Sequence, residues 1–440
     1  MSSLIEPRVL KGFRDYLPAA EMARSTLVDK LEATFRSFGF VPIDTPALEY
    51  AEILLGKGGG ETDKQVYRFK DNGARDVALR FDLTVPFARF MAEHCDELYL
   101  PFRRYHIGKV WRGENTQRGR YREFMQCDFD IVGTDCASAD ADIVLTIVSA
   151  MKALDVGGVR VRINHRALMN RFLAGQGLSE KLVPVLRTVD KQDKIGPEET
   201  KSLLAEETGD AIAAKIMEFI RPEATSSATL AKMLALCEKD DEQAAAAGTR
   251  LSEVFAIVEA CGFGDSVELD PGITRGLDYY TGIVFETNLL AMPEIGAVCS
   301  GGRYNELASL YTTRQLPGVG AAVGLDRLLT ALETLGKLGA AAPVPFVLIA
   351  NTGSAPLLRL HGAAVGLRQA GISCEVYPEA KKMPHQYAYA EKKGTRFALL
   401  LDEQSLARHV YPLRDLVRRS TTEFSSFDAL AGFLKGAIAG

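Results

Sequence analysis

The chain has 440 residues, more than one ordinary hydrophobic core accommodates, and 47% hydrophobic with 25% charged residues is the composition of a globular protein of about two to four domains. No run approaches the ~18 uninterrupted apolar residues of a membrane span, and MSSLIEPRVLKGFRDYLP lacks a basic stretch followed by an apolar one, so neither membrane insertion nor secretion is expected and the cytoplasm is the expected location. The net charge of −5 argues against a protein coated in nucleic acid, and seven scattered cysteines without a C-x-x-C argue against disulfides and structural zinc.

In chain order, residues 19 to 38 carry apolar positions at three-to-four spacing and predict an amphipathic helix. FVPIDTPALEY follows, a β-like run whose Pro42 and Pro46 restrict it to an edge or interface strand. LLGKGGGETDK lacks the order of a phosphate-binding P-loop, so its glycines predict a loop. Residues 98 to 133 read as strand, polar loop and strand, and 138 to 154 as a helix. From 168 to 262 the texture becomes charged and Ala-rich, as in a helical insertion. GAVCSGGRY predicts another strand, and GVGAAVGLDRLLTALETL a strand of small residues turning into a helix. After a linker, FVLIA, ISCEVYP and RFALLLD alternate with helical stretches, which predicts a small α/β domain with a parallel sheet.

Charge is distributed unevenly. Residues 100 to 125 hold seven Lys/Arg against two Glu, and the chain from 345 onward holds twelve against eight acidic residues, as suits a polyanion held in chosen places. Read as a strand, RYREFMQCDFDIVG puts Tyr121, Glu123, Met125, Cys127, Phe129 and Ile131 on one face. The other face carries Arg120, Arg122, Phe124, Gln126, Asp128 and Asp130. Arg112, at the end of the preceding strand, is expected to face Arg120 or lie near it across the loop 113 to 119. Guanidinium forks for phosphate, a ring for a base, and an amide with carboxylates for a small polar ligand would make this hairpin a nucleotide site. A solvated amphipathic hairpin is the bland alternative. In ALRFDLTVPFAR, Asp82 and Thr84 stand two apart, on one face if the segment is extended, where they suit an ammonium group. Arg327, in the first turn of a helix, opposes the helix dipole unless an anion sits there too. RGLDYYTGIVFE, 275 to 286, adds a cation, a carboxylate and two phenols at the mouth of an apolar run.

The set FDLTVPFAR, RYHIGKVWRGENTQRGRYREFMQCDFDIVG, RGLDYYTG, GGRYNEL and GVGAAVGLDRLL, in this order, closely resembles the histidyl-tRNA synthetase family of class II aminoacyl-tRNA synthetases. The resemblance covers essentially the whole chain and implies an α+β fold. Its catalytic core is an antiparallel sheet of class II type, in two parts at 1–167 and 263–335, with a helical insertion at 168–262. A linker at 336–344 then leads to a C-terminal α/β anticodon-binding domain at 345–440. The family's first class II motif, matched around FVPIDTP, implies a homodimer. Carried over residue by residue, Arg112 would bind the α-phosphate and the substrate carboxylate, and Arg275 would reach the α-phosphate where other class II enzymes place a metal. Phe124 would stack on adenine, Arg327 would face adenine and the terminal phosphate, and Glu114 and Arg120 would complete the ATP side. Asp82, Thr84 and Gln126 would hold the α-amino group of histidine, while Asp130, Tyr280 and Tyr304 would surround its ring, with Tyr279 also among the histidine-binding residues. The implied reaction joins histidine to tRNA(His) with ATP and Mg2+, without another cofactor and without a metal ligand set among the named residues. Arg118 and its loop would approach the acceptor stem, and the insertion would clamp the acceptor arm. Asp82 and Asp130 stand where many bacterial members have Glu, and Asn305 with Glu306 departs from the usual GGRY continuation. A silent paralogue, the histidine-sensing regulatory subunit of ATP phosphoribosyltransferase, is the second reading; it generally lacks the anticodon domain and the intact arginine set.

Overall fold

A computed structural model of the chain describes residues 4–56, 64–274, 279–338 and 345–439. The expected glycine loop at 57–63, most of the linker and Arg275 lie outside the described residues. The chain divides into two compact units, 1–339 and 340–440.

The first unit is built on a mixed sheet. Its strands are β1 (Val41–Pro42), β5 (Phe102–Trp111), β6 (Glu123–Val132), β7 (Val159–His165), β8 (Val267–Leu269), β9 (Ile283–Leu289), β10 (Cys299–Arg303) and β11 (Gly318–Gly324). The order across the sheet is β1-β5-β6-β11-β10-β9-β7-β8. The six central strands pair antiparallel and the two edges are parallel additions. Its proline explains why β1 is only a two-residue edge, as the sequence predicts. Between β1 and β5, a small sheet orders β2 (Leu48–Tyr50), β3 (Arg68–Lys70) and β4 (Asp76–Leu79) as β2-β4-β3.

Each face of the large sheet has its own cover. On one, the Pro18–Ser37 helix buries Leu27, Leu31 and Phe35, four residues apart, and Phe35 meets Phe129 of β6 at 4.8 Å. The Ala137–Ala153 helix is buried along almost its whole length against the same face. This core continues without a break into the helices of the 168–262 stretch, where Phe172 and Phe219 stack at 4.3 Å. A second cluster forms around the Thr84–His94 helix, with Phe81, Val85, Phe87, Tyr304 and Leu307. Cys127, Phe129 and Ile131 point into the large core, as the alternation predicts.

The second unit has its own core, including Val347, Ile349, Leu360, Leu367, Phe397 and Leu430. Its sheet is β13-β12-β14-β15-β16, where β12 is Val347–Ile349, β13 Cys374–Val376, β14 Phe397–Leu399, β15 Tyr411–Asp415 and β16 Ser420–Phe424. The first three strands are parallel, as predicted, but a hairpin extends the sheet antiparallel. The hairpin is masked in the sequence because β16, STTEF, is largely exposed and has no apolar alternation.

Candidate active site

The polar face of β6 becomes a site because of its register. Asp130 is flanked by Arg104 of β5 and Gly320 of β11, and Gly320 by Gly302 of β10. One step along, Asp128 lies between His106 and Ala322, and then Gln126 between Gly108 and Gly324. Directly paired residues share a face, so charged groups and bare backbone alternate across one face of the sheet. The face is not a solvated amphipathic surface, since Asp128 and Asp130 are 1% and 2% exposed.

The glycines make room for side chains. A Cβ on Gly320 would lie 2.0 Å from Asp130 Oδ1, one on Gly318 would meet the Tyr304 ring at 2.5 Å, and one on Gly302 the Tyr280 ring at 3.0 Å. Asp130 and Tyr304 thus occupy the space over Gly320 and Gly318. Tyr304 donates its hydroxyl to Asp130 Oδ1 at 2.5 Å. Arg104 Nη2 lies 2.7 Å from Asp130 Oδ2, close enough for an ion pair although misaligned for a hydrogen bond. Arg104 is fully buried with its guanidinium 4.2 Å from the centroid of Phe87.

Asp82 and Thr84 come together differently from the expected extended segment. Thr84 is the first residue of the Thr84–His94 helix, whose first turn admits Pro86 because no intrahelical N–H bond is needed there. Asp82, just before it, accepts from Val85 N at 3.0 Å and from the Tyr279 hydroxyl at 3.1 Å. Tyr279 in turn meets Tyr280 and Tyr304 edge-on, with centroids at 5.1 and 6.1 Å. Burial raises the pKa values of Asp82 and Asp130 and pushes that of Asp128 well up; Arg104 opposes the rise at all three. Burial also pushes the phenols of Tyr279, Tyr280 and Tyr304 up, so they remain donors.

A second group lies beside this pocket. Arg112 donates Nε to the carbonyl of Phe81 at 2.9 Å and stands 5.2 Å from the centroid of Phe124. Its backbone pairs with Arg122 rather than with Arg120, because Gln117 and Arg120 close their own turn at the loop tip. Arg120 instead pairs with Glu114 at 3.1 Å. Arg118 donates to Thr334 Oγ1 at 2.7 Å. Arg327 follows the bare end of β11 in the Leu325–Thr334 helix and donates to the carbonyl of Ala297 at 2.5 Å. Its neighbour Asp326 is buried, accepts from Met125 N at 2.6 Å and Arg14 at 3.1 Å, and also holds the Tyr16 hydroxyl. The helix start is thereby tied to β6 and to the N-terminal segment.

Sequence reasoning misses Arg104 as a site residue, and Asp128 is placed on the right face without a role. The signal for Arg104 is its alternation with His106 and Gly108, which means something only once β5 is registered on β6. Asn305 bridges Arg303 and Asp135, its Oδ1 3.1 Å from Arg303 Nη1 and its Nδ2 2.9 Å from Asp135 Oδ2. Arg303 lies on the opposite face of the sheet, bonded through Nη2 to buried Asp140 at 2.7 Å.

A catalytic sheet of this kind, with guanidinium and ring beside a pocket of carboxylates and phenols, is that of a class II aminoacyl-tRNA synthetase. A family model described as "Histidyl-tRNA synthetase" matches residues 12–328, and one described as "Anticodon binding domain" matches 360–436. The histidine–tRNA ligase of Treponema denticola is 49% identical over 437 residues, covering 96% of this chain and 97% of that one. That of Rhodopirellula baltica is 48% identical over 403 residues, 90% of each. The crystal structure of histidyl-tRNA synthetase from Nostoc sp. PCC 7120 superimposes with a TM-score of 0.86 at 30% identity, over 99% of this chain and 100% of that one. The chain belongs to the histidyl-tRNA synthetase family.

Proposed function

We infer that the chain is a histidine–tRNA ligase that joins histidine to tRNA(His) in two steps: ATP-dependent formation of histidyl-adenylate with release of pyrophosphate, then transfer to the tRNA 3′ end with release of AMP. The observation that carries the reading is the adjacency of two unlike groups of side chains, Asp82–Tyr279 and Asp130–Tyr304 on one side and Arg112 over Phe124 on the other.

In this reading the histidine carboxylate attacks the α-phosphorus in line and pyrophosphate leaves in the first step, AMP leaving only in the second, so the protein must align the reactants and neutralise charge rather than supply a nucleophile. Arg112, anchored by Phe81 O, takes the α-phosphate and the substrate carboxylate, and Arg275, which lies outside the described residues, is assigned to the α-phosphate as well. Phe124 stacks on adenine, with Arg327, Glu114 and Arg120 on the nucleotide. Asp82, Thr84 and Gln126 hold the α-ammonium, and Asp130, Tyr279, Tyr280 and Tyr304 the ring, as acceptor and donors. Mg2+ is assigned to the ATP substrate, whose phosphates suit a hard cation. The helices of 168–262 are assigned to the acceptor arm and the unit at 345–440 to the anticodon.

A homodimer in the cytoplasm completes the proposal. Supporting it, β1 is a bare sheet edge, and Leu48, Tyr50 and Phe69 of the adjoining small sheet are 40%, 51% and 47% exposed. No helix among the described residues is long and apolar enough to cross a membrane.

Histidine-dependent ATP–pyrophosphate exchange followed by tRNA charging tests the function. Arg112→Ala and Arg275→Ala should each lower exchange by roughly 10²- to 10³-fold, the usual cost of one preorganised donor, while leaving the melting temperature near wild type. Exchange at the wild-type rate in either variant refutes that residue's role; histidine binding without exchange in the wild type favours the sensor reading.

A further inference from the structure

Three carboxylates are buried in the amino-acid pocket, and two are well partnered. Asp82 has Val85 N and Tyr279; Asp130 has Tyr304 and Arg104. Asp128, on the same face, has neither a short bond nor a salt bridge among the described residues. Its nearest donors are Thr84 Oγ1, 3.5 Å from Oδ2, and Gln126 Nε2, 3.4 Å from Oδ1. Each oxygen therefore addresses one of two side chains assigned above to the ammonium of the substrate. The other end of the Gln126 amide, Oε1, is buried without a partner among the described residues.

Once the ammonium of the substrate favours its ionised form, Asp128 only accepts hydrogen bonds, so Thr84 then turns its hydrogen toward Asp128 and Gln126 turns its NH2 there. What remains to face the ligand is acceptor: the lone pairs of Thr84, whose hydroxyl also meets the Tyr279 phenol, and Oε1 of Gln126, unsatisfied among the described residues. An ammonium is donor only, with three hydrogens to place. Buried unpaired acceptors are costly until such a donor arrives. We propose that Asp128 is a positioning residue for the amino-acid substrate, one that takes the hydrogens of Thr84 and Gln126 and so turns both into acceptors for the α-ammonium. The inference rests on the ligase reading and adds to it a residue outside the assigned histidine contacts. Burial, with Asp130 and Asp82 nearby, disfavours the charge on Asp128 while Arg104 and Arg112 favour it, and the ligand's own positive charge completes the balance.

The test is calorimetric titration of the full-length protein with histidine and with its desamino analogue, imidazolepropionate. In Asp128→Asn the new NH2 competes for the acceptors it should be orienting. Histidine should bind roughly 10- to 100-fold more weakly, the range for a lost hydrogen bond to a charged group, while the desamino analogue changes by less than about threefold. In pyrophosphate exchange, KM for histidine should rise with KM for ATP unmoved. Asp128→Ser, smaller and also uncharged, should show the same selectivity and serves if the amide destabilises the fold. Histidine affinity within about twofold of wild type, or equal losses for both ligands, overturns the proposal. A wild-type protein that binds neither would overturn the ligase reading along with it.

Discussion

Gly320 and Gly362 are the same residue under opposite constraints. At Gly320 an added methyl would sit 2.0 Å from Asp130 Oδ1 and 2.8 Å from the carbonyl of Phe129, in the middle of the sheet where backbone cannot yield. Gly320→Ala should therefore displace the carboxylate from Tyr304, cost about 1 to 3 kcal/mol of stability, and weaken histidine binding more than tenfold. At Gly362, inside the Leu357–Gln369 helix of the second unit, a methyl meets nothing within 4 Å. Gly362→Ala should stabilise that unit by about 0.5 to 1 kcal/mol, because alanine loses less backbone freedom on helix formation. Thermal melts of the two variants must move in opposite directions; a neutral Gly320→Ala would mean that Asp130 is not held as described.

Among the elements, the junction between β7 and the Arg166–Gly175 helix carries a titratable cap. His165 accepts from Ala167 N through Nδ1 at 3.3 Å, a role open only to the neutral ring. Burial lowers its pKa to about 4, with Arg250 and Arg303 adding to the fall and Asp135 opposing it. The unfolded chain thus binds a proton on His165 that the folded chain refuses between pH ~6.5 and ~4. Stability falls as pH drops through that window, by up to roughly 3 kcal/mol from this group. The buried Asp82, Asp128 and Asp130 pull the other way, since their raised pKa values favour the folded state on acidification, so the comparison must be internal. His165→Asn keeps a capping oxygen without a proton to gain, and its melting temperature relative to wild type should rise by several degrees between pH 7.5 and 4.5; parallel pH profiles would refute the assignment. Elements of this kind set the limit of what the sequence discloses. The alternation in RYREFMQCDFDIVG is enough to predict which side of β6 is chemical, because period two is a local property. That Asp82 and Thr84 lie at a helix start is masked by FDLTVPFAR, whose apolar residues and proline read as extended. Arg104 and the bare floor at Gly302 and Gly320 depend on register between strands far apart in sequence, which no local period encodes. The family resemblance supplies the ligand assignments, and the register explains why those residues can meet.

For the whole molecule, the question is how far its two units are independent. The helices of 168–262 share one core with the sheet, through Phe172, Leu173, Leu251, Val254 and Val258, so excising them would open that core and could not isolate a tRNA-binding function. Surface charge changes there are the better probe. The unit at 345–439 is different: β12, β13 and β14 close with the Leu357–Gln369 and Phe427–Ala439 helices around a separate core. A chain with a complete core of its own needs no neighbour to fold. Truncation after residue 338 should therefore leave histidine-dependent pyrophosphate exchange within about threefold of wild type, because every described residue assigned to histidine and ATP lies before that point. Charging of tRNA should fall far more, on the order of 10²-fold, with the loss appearing in KM for tRNA, since the unit removed carries the twelve Lys/Arg against eight acidic residues and the anticodon-binding match. The isolated 345–440 fragment should unfold cooperatively on its own. Exchange that collapses together with charging in the truncated chain, while its circular dichroism remains native, would show that the second unit acts on adenylation and that the division of labour proposed here is wrong.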